Sequence, residues 1–270
     1  MGRRGAALSG PRRHGRQLWL KFLIPPAGLW GMNVYSRFLL AAVALLLCVP
    51  ASAATKNGFE LEDPLIPVDE IISGGPPRDG IPAINEPTFV DPDEAGFMDE
   101  DDRVMGVVID GVARAYPIKI LNWHEAVNDK ISTQHFIVTY CPLCGSGMVF
   151  ASNAGKDGRL VFGISGLLYD SDVLLFDRNT ESLWSQLMGK AVSGPLKGTD
   201  LPQLPARHTT WGDWLERHPG SQVMSTETGF GRSYERSPYE RLCKIASLVL
   251  RCVQPGAPVW APRNRCWASS

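Results

Sequence analysis

The stretch HFIVTYCPLCGSGMVF, residues 135–150, decides how this chain is expected to fold. Its first six residues are rich in β-branched and aromatic side chains, which favours a strand. An extended pattern resumes at Met148 after Gly145 and Gly147, so Cys141 and Cys144 are predicted to lie on a tight turn between two strands. A glycine after the second cysteine permits the left-handed turn of a metal knuckle, in which both sulfur atoms point the same way.

The chemistry of this cysteine pair has three interpretations. Thiolates bind soft metals, so the pair is a candidate site for zinc or copper(I). The same thiols, Cys141 and Cys144, would be the catalytic groups if the protein exchanged thiols and disulfides. A structural disulfide is the third reading, since exported proteins oxidise their thiols. A helix directly after the pair, as in thioredoxin-like sites, is not expected because Gly-Ser-Gly starts a helix poorly.

A closed zinc site needs four ligands, and the turn supplies two. The nearest further candidate is His124, one element earlier in the sequence, so the predicted metal ligands are Cys141, Cys144 and His124. A lone histidine beside a tryptophan is more often a packed, hydrogen-bonded residue than a ligand.

A candidate pocket adds four residues. Trp123 and Glu125 flank the histidine, and Tyr169 and Asp172 come from a polar stretch at 165–172 that is expected to be a loop. A binding module without chemistry, which would use this loop and exposed tryptophans to hold a ligand or protein, is a further alternative. The sequence identifies no partner.

Composition indicates one globular domain with appendages: 270 residues, 44% hydrophobic and 20% charged. The formal net charge of −1 conceals a strong asymmetry. Residues 54–237 hold 27 acidic and 15 basic side chains, a net charge of −12. No nucleic-acid partner is therefore expected, because phosphate binding requires clustered Lys and Arg.

Residues 1–53 are expected to be an N-terminal extension and a signal peptide. The basic residues are followed by an apolar stretch at 38–49 and an A-x-A site at 51–53, which predicts cleavage after Ala53 and export to the periplasm or beyond. Twelve apolar residues are too few to span a bilayer comfortably, so contact with a membrane is expected only through this segment if it stays uncleaved.

Beyond the signal peptide, three regions are predicted. Residues 54–92 are rich in Pro and Gly and should form an extended arm that packs on the core. Residues 93–239 show turn signals every eight to twelve residues, which indicates a mainly β domain, sandwich or barrel-like, with one or two short helices. Residues 240–270 have a reversed charge and three cysteines, a pattern that suggests out-of-frame translation and that resequencing of the gene would test.

Within the core, several local structures are specific. An Asp-Gly pair at 110–111 predicts a type I′ hairpin across residues 104–116. A short helix is expected from Ile118 to Val127 and a second one after a Thr210 cap. Residues 148–152 and 159–165 are expected to pair as a hairpin. No dinucleotide, P-loop, serine-hydrolase or c-type haem motif occurs in the sequence.

Seven short motifs, read together, give the chain a family resemblance. They are LIP at 65–67, GIPAI at 80–84, AYP at 115–117, NWHE at 122–125, YCPLCG at 140–145, SGLLY at 165–169 and LWSQ at 183–186. In this order they resemble the family catalogued as domain of unknown function 3179, over about 65–239. The resemblance implies an exported prokaryotic protein and assigns no activity.

Overall fold

The computed structural model describes residues 54–153 and 158–240, together with Asn33 and Tyr35. The chain is mainly β in these ranges, as predicted. The expected signal segment, the tail from residue 241 and four of the six cysteines lie outside the described residues. Neither of the helices described below is long and apolar enough to cross a membrane.

Sixteen strands and two α-helices are formed within the described ranges. The strands are β1 Ala54–Lys56, β2 Phe59–Leu61, β3 Ile72–Ser73, β4 Phe89–Val90, β5 Arg103–Ile109, β6 Val112–Pro117, β7 Ala126–Ile131, β8 Gln134–Cys141, β9 Ser146–Ala151, β10 Phe162–Tyr169, β11 Asp172–Asp177, β12 Leu183–Ser185, β13 Lys190–Ser193, β14 Gln203–Leu204, β15 Ala206–Thr210 and β16 Gln222–Met224. The helices are α1 Ile118–His124 and α2 Trp211–Arg217, and short 3-10 turns occur at Val68–Glu70 and Pro92–Glu94.

The strands form three large sheets and the small β1-β2 ribbon. Their orders are β13-β12-β11-β10-β3, β14-β9-β8-β7 and β15-β5-β6-β16-β4. Neighbouring strands run antiparallel, except that β16 runs parallel to β6. Most consecutive strands are therefore hairpin neighbours, as the regular turn signals predict.

Strand β8 lies in the sheet β14-β9-β8-β7, which we call the middle sheet, and is buried on both faces. Phe136, Val138 and Tyr140 belong to the core shared with β5 and β6, whereas Ile137 and Cys141 belong to the core shared with β10, β11 and β12. Successive side chains of a strand point to opposite faces, so a nearly continuous apolar run serves two cores at once. The middle sheet thus lies between the two others.

Local turn chemistry fixes the elements before β8. Asp110 and Gly111 both have positive φ, at 50° and 79°, which confirms the type I′ hairpin between β5 and β6. Helix α1 ends at His124, three residues before the predicted end, because Glu125 adopts a left-handed conformation with φ 57°. Thr210 caps α2 as predicted, accepting a hydrogen bond from the Asp213 N–H.

Two expectations about the region after the turn are wrong. Strand β9 pairs with β8 and β14, while β10 pairs with β11 and β3, so no hairpin joins β9 to β10. The stretch 165–172 is also not a loop. It contains the end of β10, a two-residue turn in which Asp170 and Ser171 have positive φ, and the first residue of β11. Leu167 and Leu168 continue the strand and pair with Leu174 and Val173. The polar residues on either side of them made the stretch resemble a loop in the sequence.

The arm, residues 54–92, is part of the sheets as well as packed on them. It contains only strands of two or three residues, yet β3 pairs with β10, β4 pairs with β16, and Ile84 bridges to Val127. Ile66, Ile71 and Ile84 are buried. Its Pro and Gly content limits the length of its strands without preventing them from pairing.

Gly166 allows the arm to approach β10. The strand register shifts between Ile164 and Leu167, Gly166 has φ +73°, and its carbonyl accepts a hydrogen bond from the Gly74 N–H at 2.8 Å. A Cβ placed at Gly166 would lie 2.1 Å from the carbonyl oxygen of Pro76. Only glycine fits this bulge, because any side chain would strike the backbone of the arm.

We predict that Gly166→Ala destabilises the protein by at least about 3 kcal/mol, since it adds a backbone clash to the strain of a positive φ. The matched control is Gly75→Ala, because Gly75 has φ +104° but open space around a Cβ. That variant should lose only about 1 kcal/mol. Urea unfolding of both variants checks the prediction, and equal losses would contradict it.

Candidate functional site, a thiol pair with two buried carboxyl groups

The turn between β8 and β9 holds the two cysteines as the sequence predicts. Cys141 ends β8 and pairs across the ladder with Ser146, which starts β9. The Gly145 N–H donates to the Cys141 carbonyl at 2.8 Å, and Gly145 takes the left-handed φ of 67°. Both thiols are free, Cys141 buried and Cys144 exposed.

A third group, Asp172, joins the two sulfur atoms. The Sγ atoms of Cys141 and Cys144 and a carboxylate oxygen of Asp172 all lie within 4.8 Å of one another. Asp172 Oδ1 is 3.3 Å from the Cys144 sulfur, and Asp172 Oδ2 accepts a hydrogen bond from the Leu187 N–H at 3.1 Å. One oxygen is therefore anchored by the backbone while the other faces the thiols.

A chain of buried hydrogen bonds supports this cluster. The Thr139 hydroxyl donates to the Met148 carbonyl at 2.9 Å and accepts from the Gln186 amide at 2.9 Å. The Ser146 hydroxyl donates to Gln186 Oε1 at 2.8 Å and lies 3.0 Å from the Cys144 sulfur. These contacts fix the position of Ser146, and through it that of Cys144.

The two thiols differ in acidity because they interact with each other. A hydrogen bond from Cys141, assisted by Ser146, lowers the pKa of Cys144 to about 7 against the opposing effect of partial burial. The hydrogen bond to Cys144 and burial raise the pKa of Cys141. When Cys144 is protonated, the Cys141 thiol has another acceptor in the Ser171 carbonyl, 3.7 Å away. The exposed sulfur is thus the nucleophile of the pair.

Glu125 is the second buried carboxyl group near the thiols. It is 5% exposed and accepts a hydrogen bond from the Tyr239 hydroxyl. Burial raises the pKa of Glu125 to about 7, and the negative charges of Cys144 and Asp172 add to the effect. Burial also raises the pKa of Asp172, which is 2% exposed.

The ion pairs found in the part of the chain that the structure describes lie elsewhere. None of the ion pairs there includes Asp172 or Glu125. Two thiols and two buried carboxyl groups therefore form a site that can become strongly negative and that would be stabilised by a cation.

His124 does not reach the thiol pair. Its Nδ1 donates to the Pro82 carbonyl at 2.7 Å, which leaves Nε2 as the acceptor for the Tyr234 hydroxyl at 2.8 Å. Burial lowers the pKa of His124, consistent with a neutral ring. Both ring nitrogens are occupied, and Asp172, not His124, lies beside the two sulfur atoms.

The motif at 122–125, Asn-Trp-His-Glu, instead anchors the last described segment, residues 225–240. The Trp123 indole N–H donates to the Arg236 carbonyl at 2.8 Å, while His124 and Glu125 hold Tyr234 and Tyr239. Of the four candidate pocket residues, Asp172 lies beside the thiols, and the charge of Cys144 helps to raise the pKa of Glu125. Trp123 packs against the core that contains Tyr116, and Tyr169 against the core that contains Phe59.

Asp172 is the functional residue for which the sequence held only a weak signal. It was predicted as a pocket residue and was not one of the three named metal ligands; 28 residues separate it from Cys144 along the chain. The signal was the two-residue polar turn before it, which places Asp172 at the end of a hairpin. Ser146 and Gln186 carried no signal, since small polar residues near a turn are common.

Fold and site together define a β-sheet protein with a preorganised cluster of two thiols and a carboxylate. The chain belongs to the family described as "Protein of unknown function (DUF3179)", whose model matches residues 78–265. That match includes six of the seven quoted motifs and begins after the first, at 65–67. It continues into the tail, where a shifted reading frame stays a prediction. Comparisons with curated proteins and with solved structures gave no match.

The raised pKa of Glu125 predicts a dependence of stability on pH. Between its ordinary pKa of 4.5 and about 7, the folded protein binds a proton that the unfolded chain does not. The free energy of unfolding should therefore fall by about 3 kcal/mol as pH rises through this window. Glu125→Gln keeps the acceptor for Tyr239 and should remove this fall.

Urea unfolding of both proteins from pH 4.5 to 8 measures the effect. The matched control is Glu181→Gln, because Glu181 is exposed and its hydrogen bond to Arg78 lowers its pKa. Its replacement should leave the fall between pH 4.5 and 7 in place. A Glu125→Gln protein with the same pH profile as the wild type would show that the carboxyl group ionises normally.

Proposed function

We propose that this protein binds one zinc ion through Cys141, Cys144 and Asp172. The observation that carries the proposal is the convergence of three ligand atoms within 4.8 Å of one another. They come from a strand end, a tight turn and the start of a second hairpin, so little rearrangement is needed to close them around an ion.

The chemistry of the donors favours zinc over copper(I). Zinc accepts thiolate and carboxylate ligands together, whereas copper(I) prefers sulfur donors alone. The hydrogen bond from Leu187 to Asp172 Oδ2 and the contact from Ser146 to Cys144 are the kind of outer interactions that orient metal ligands. The bound ion would compensate the negative charge of the two thiolates and the Asp172 carboxylate.

The proposal predicts about one equivalent of zinc on the purified, reduced protein. Cys144→Ser should lose the zinc, and Asp172→Asn should weaken its binding by at least about tenfold, since each change removes one ligand. Elemental analysis and titration with a chromophoric chelator provide the measurement. A reduced protein without metal, even after incubation with zinc, would refute the proposal.

Two controls separate this site from other ligands. Asp170→Asn changes an exposed carboxylate in the same turn and should keep full zinc content. Joint replacement of Cys243, Cys252 and Cys266 by Ser should also leave one equivalent bound, because the proposed site takes its sulfur ligands from Cys141 and Cys144. Retention of copper(I) in place of zinc by the same three residues would correct the metal and keep the site.

Thiol–disulfide exchange is a second candidate, favoured by the contrast between an exposed Cys144 and a buried Cys141. The thiolate of Cys144 would attack a disulfide of a substrate protein, and Cys141 would then displace the substrate as a thiol, leaving a Cys141–Cys144 disulfide. The oxidant is the substrate disulfide. This order of attack is the reverse of one in which the first cysteine of the motif is the nucleophile.

This candidate predicts that Cys141→Ser accumulates a mixed disulfide with a model disulfide such as oxidised glutathione, because the resolving thiol is missing. Cys144→Ser should accumulate little, since its remaining thiol is buried. Mass spectrometry after a short incubation distinguishes the two variants. Equal trapping by both, or by neither, would remove the redox candidate.

A further inference from the structure

Among the residues that the structure describes, three converge as zinc ligands, so a tetrahedral zinc ion held by them has one coordination position left. Cys141 and Asp172 are buried, and Cys144 is exposed, so the open position faces solvent on the side of Cys144. An inference about the fourth ligand rests on the proposed zinc site. The residues around that position restrict which ligand can bind.

Three exposed apolar side chains lie on two turns next to the cluster, the turn between β8 and β9 and the turn between β12 and β13. Leu143 stands between the two cysteines, and Leu187 donates the N–H that anchors Asp172, with Met188 next to it. Their side chains are 47%, 53% and 46% exposed. Among the nine large apolar residues exposed in the described ranges, three are thus at this one place, which we call the apolar rim. Water-exposed apolar groups concentrated around a site indicate contact with another molecule.

Charge restricts the donor further. Two thiolates and a carboxylate carry three negative charges against two positive charges on zinc, and Glu125 lies close enough to interact with Cys144. The domain around them carries a net charge of −12 over residues 54–237. Another anion, such as phosphate or carboxylate, would add to this excess of negative charge and is disfavoured relative to a neutral donor. A neutral nitrogen donor would not, and imidazole is an ordinary zinc ligand.

We propose that the open position accepts a histidine side chain from a partner polypeptide whose neighbouring residues are apolar and basic. The imidazole nitrogen displaces a water molecule from the zinc. The flanking apolar side chains cover Leu143, Leu187 and Met188, and basic residues beyond them interact with the acidic surface. The apolar rim and the charge, together with the open position, specify this occupant more closely than any one of them alone.

The test uses the full zinc-loaded chain and a fluorescent peptide, acetyl-Lys-Leu-His-Leu-Lys-amide. Fluorescence anisotropy should show binding at least about tenfold tighter than for the same peptide with Ala in place of His, because a metal bond is lost. The difference should vanish after zinc is removed by a chelator. Replacement of both Lys by Glu should weaken binding, and more so at low salt.

A variant of the apolar rim tests the second part. The variant Met188→Gln should keep its zinc and lose at least about tenfold in affinity for the His peptide. Val108→Gln, which alters an exposed apolar residue on β5, should bind as the wild type does. On cobalt-substituted protein, the His peptide should change the visible absorption spectrum, which contact with the protein surface alone would not do.

Four results would overturn the inference. They are equal binding of the His and Ala peptides, equal binding by the rim variant, no preference for Lys over Glu, and zinc-dependent dimerisation in sedimentation that occupies the site with a second copy of this chain. Absence of zinc in the starting protein is a different failure, seen by elemental analysis before any peptide is added. It would refute the proposed function together with the inference.

Discussion

Burial of β8 on both faces is the constraint on which the rest of the structure depends. The strand supplies alternate side chains to two cores, and its last two residues, Tyr140 and Cys141, therefore point in opposite directions. Cys141 is directed towards β10, β11 and β12, the sheet that carries Asp172 and Gln186. A shift of one residue in the β8 register would turn the thiol into the other core.

The burial of β8 determines the position of the turn that follows it. Because Cys141 is fixed at the end of a packed strand, the tight turn leaves Cys144 at the surface while keeping its sulfur close to that of Cys141. Asp172 comes from the facing sheet, where it directly follows the two-residue turn between β10 and β11. Two hairpin ends from different sheets thus meet, and neither could hold the three donor atoms by itself.

The electrostatics of the site follow from the same packing. Asp172 and Glu125 are carboxyl groups taken out of water without a basic partner among the described ion pairs, and burial raises the pKa of both. Such an arrangement is costly for folding unless a proton or a cation neutralises it. Binding of zinc and protonation of the carboxyl and thiol groups are two ways in which the same cluster would be neutralised.

Sequence reasoning failed where a contact depends on which side of an element faces which neighbour. His124 looked like a ligand because it lies one element before the cysteines, but α1 directs it to Pro82 and Tyr234. The left-handed Glu125 ends the helix directly after it and holds Tyr239, and the charge of Cys144 contributes to its raised pKa. Adjacent residues on opposite sides of a helix end cannot be assigned to a site by distance along the chain.

The sequence by itself determined the β character, the Asp-Gly hairpin, the Thr210 cap and the position of the two cysteines on a tight turn, because each rests on backbone preferences within a few residues. The tertiary structure alone decided which sheet β10 joins, that Asp172 is the third group of the cluster and that Ser146 and Gln186 support it. Those contacts link residues far apart in the sequence, 40 positions between Ser146 and Gln186 and 47 between Thr139 and Gln186. Their partners are chosen by how whole sheets pack, and no local pattern records that choice.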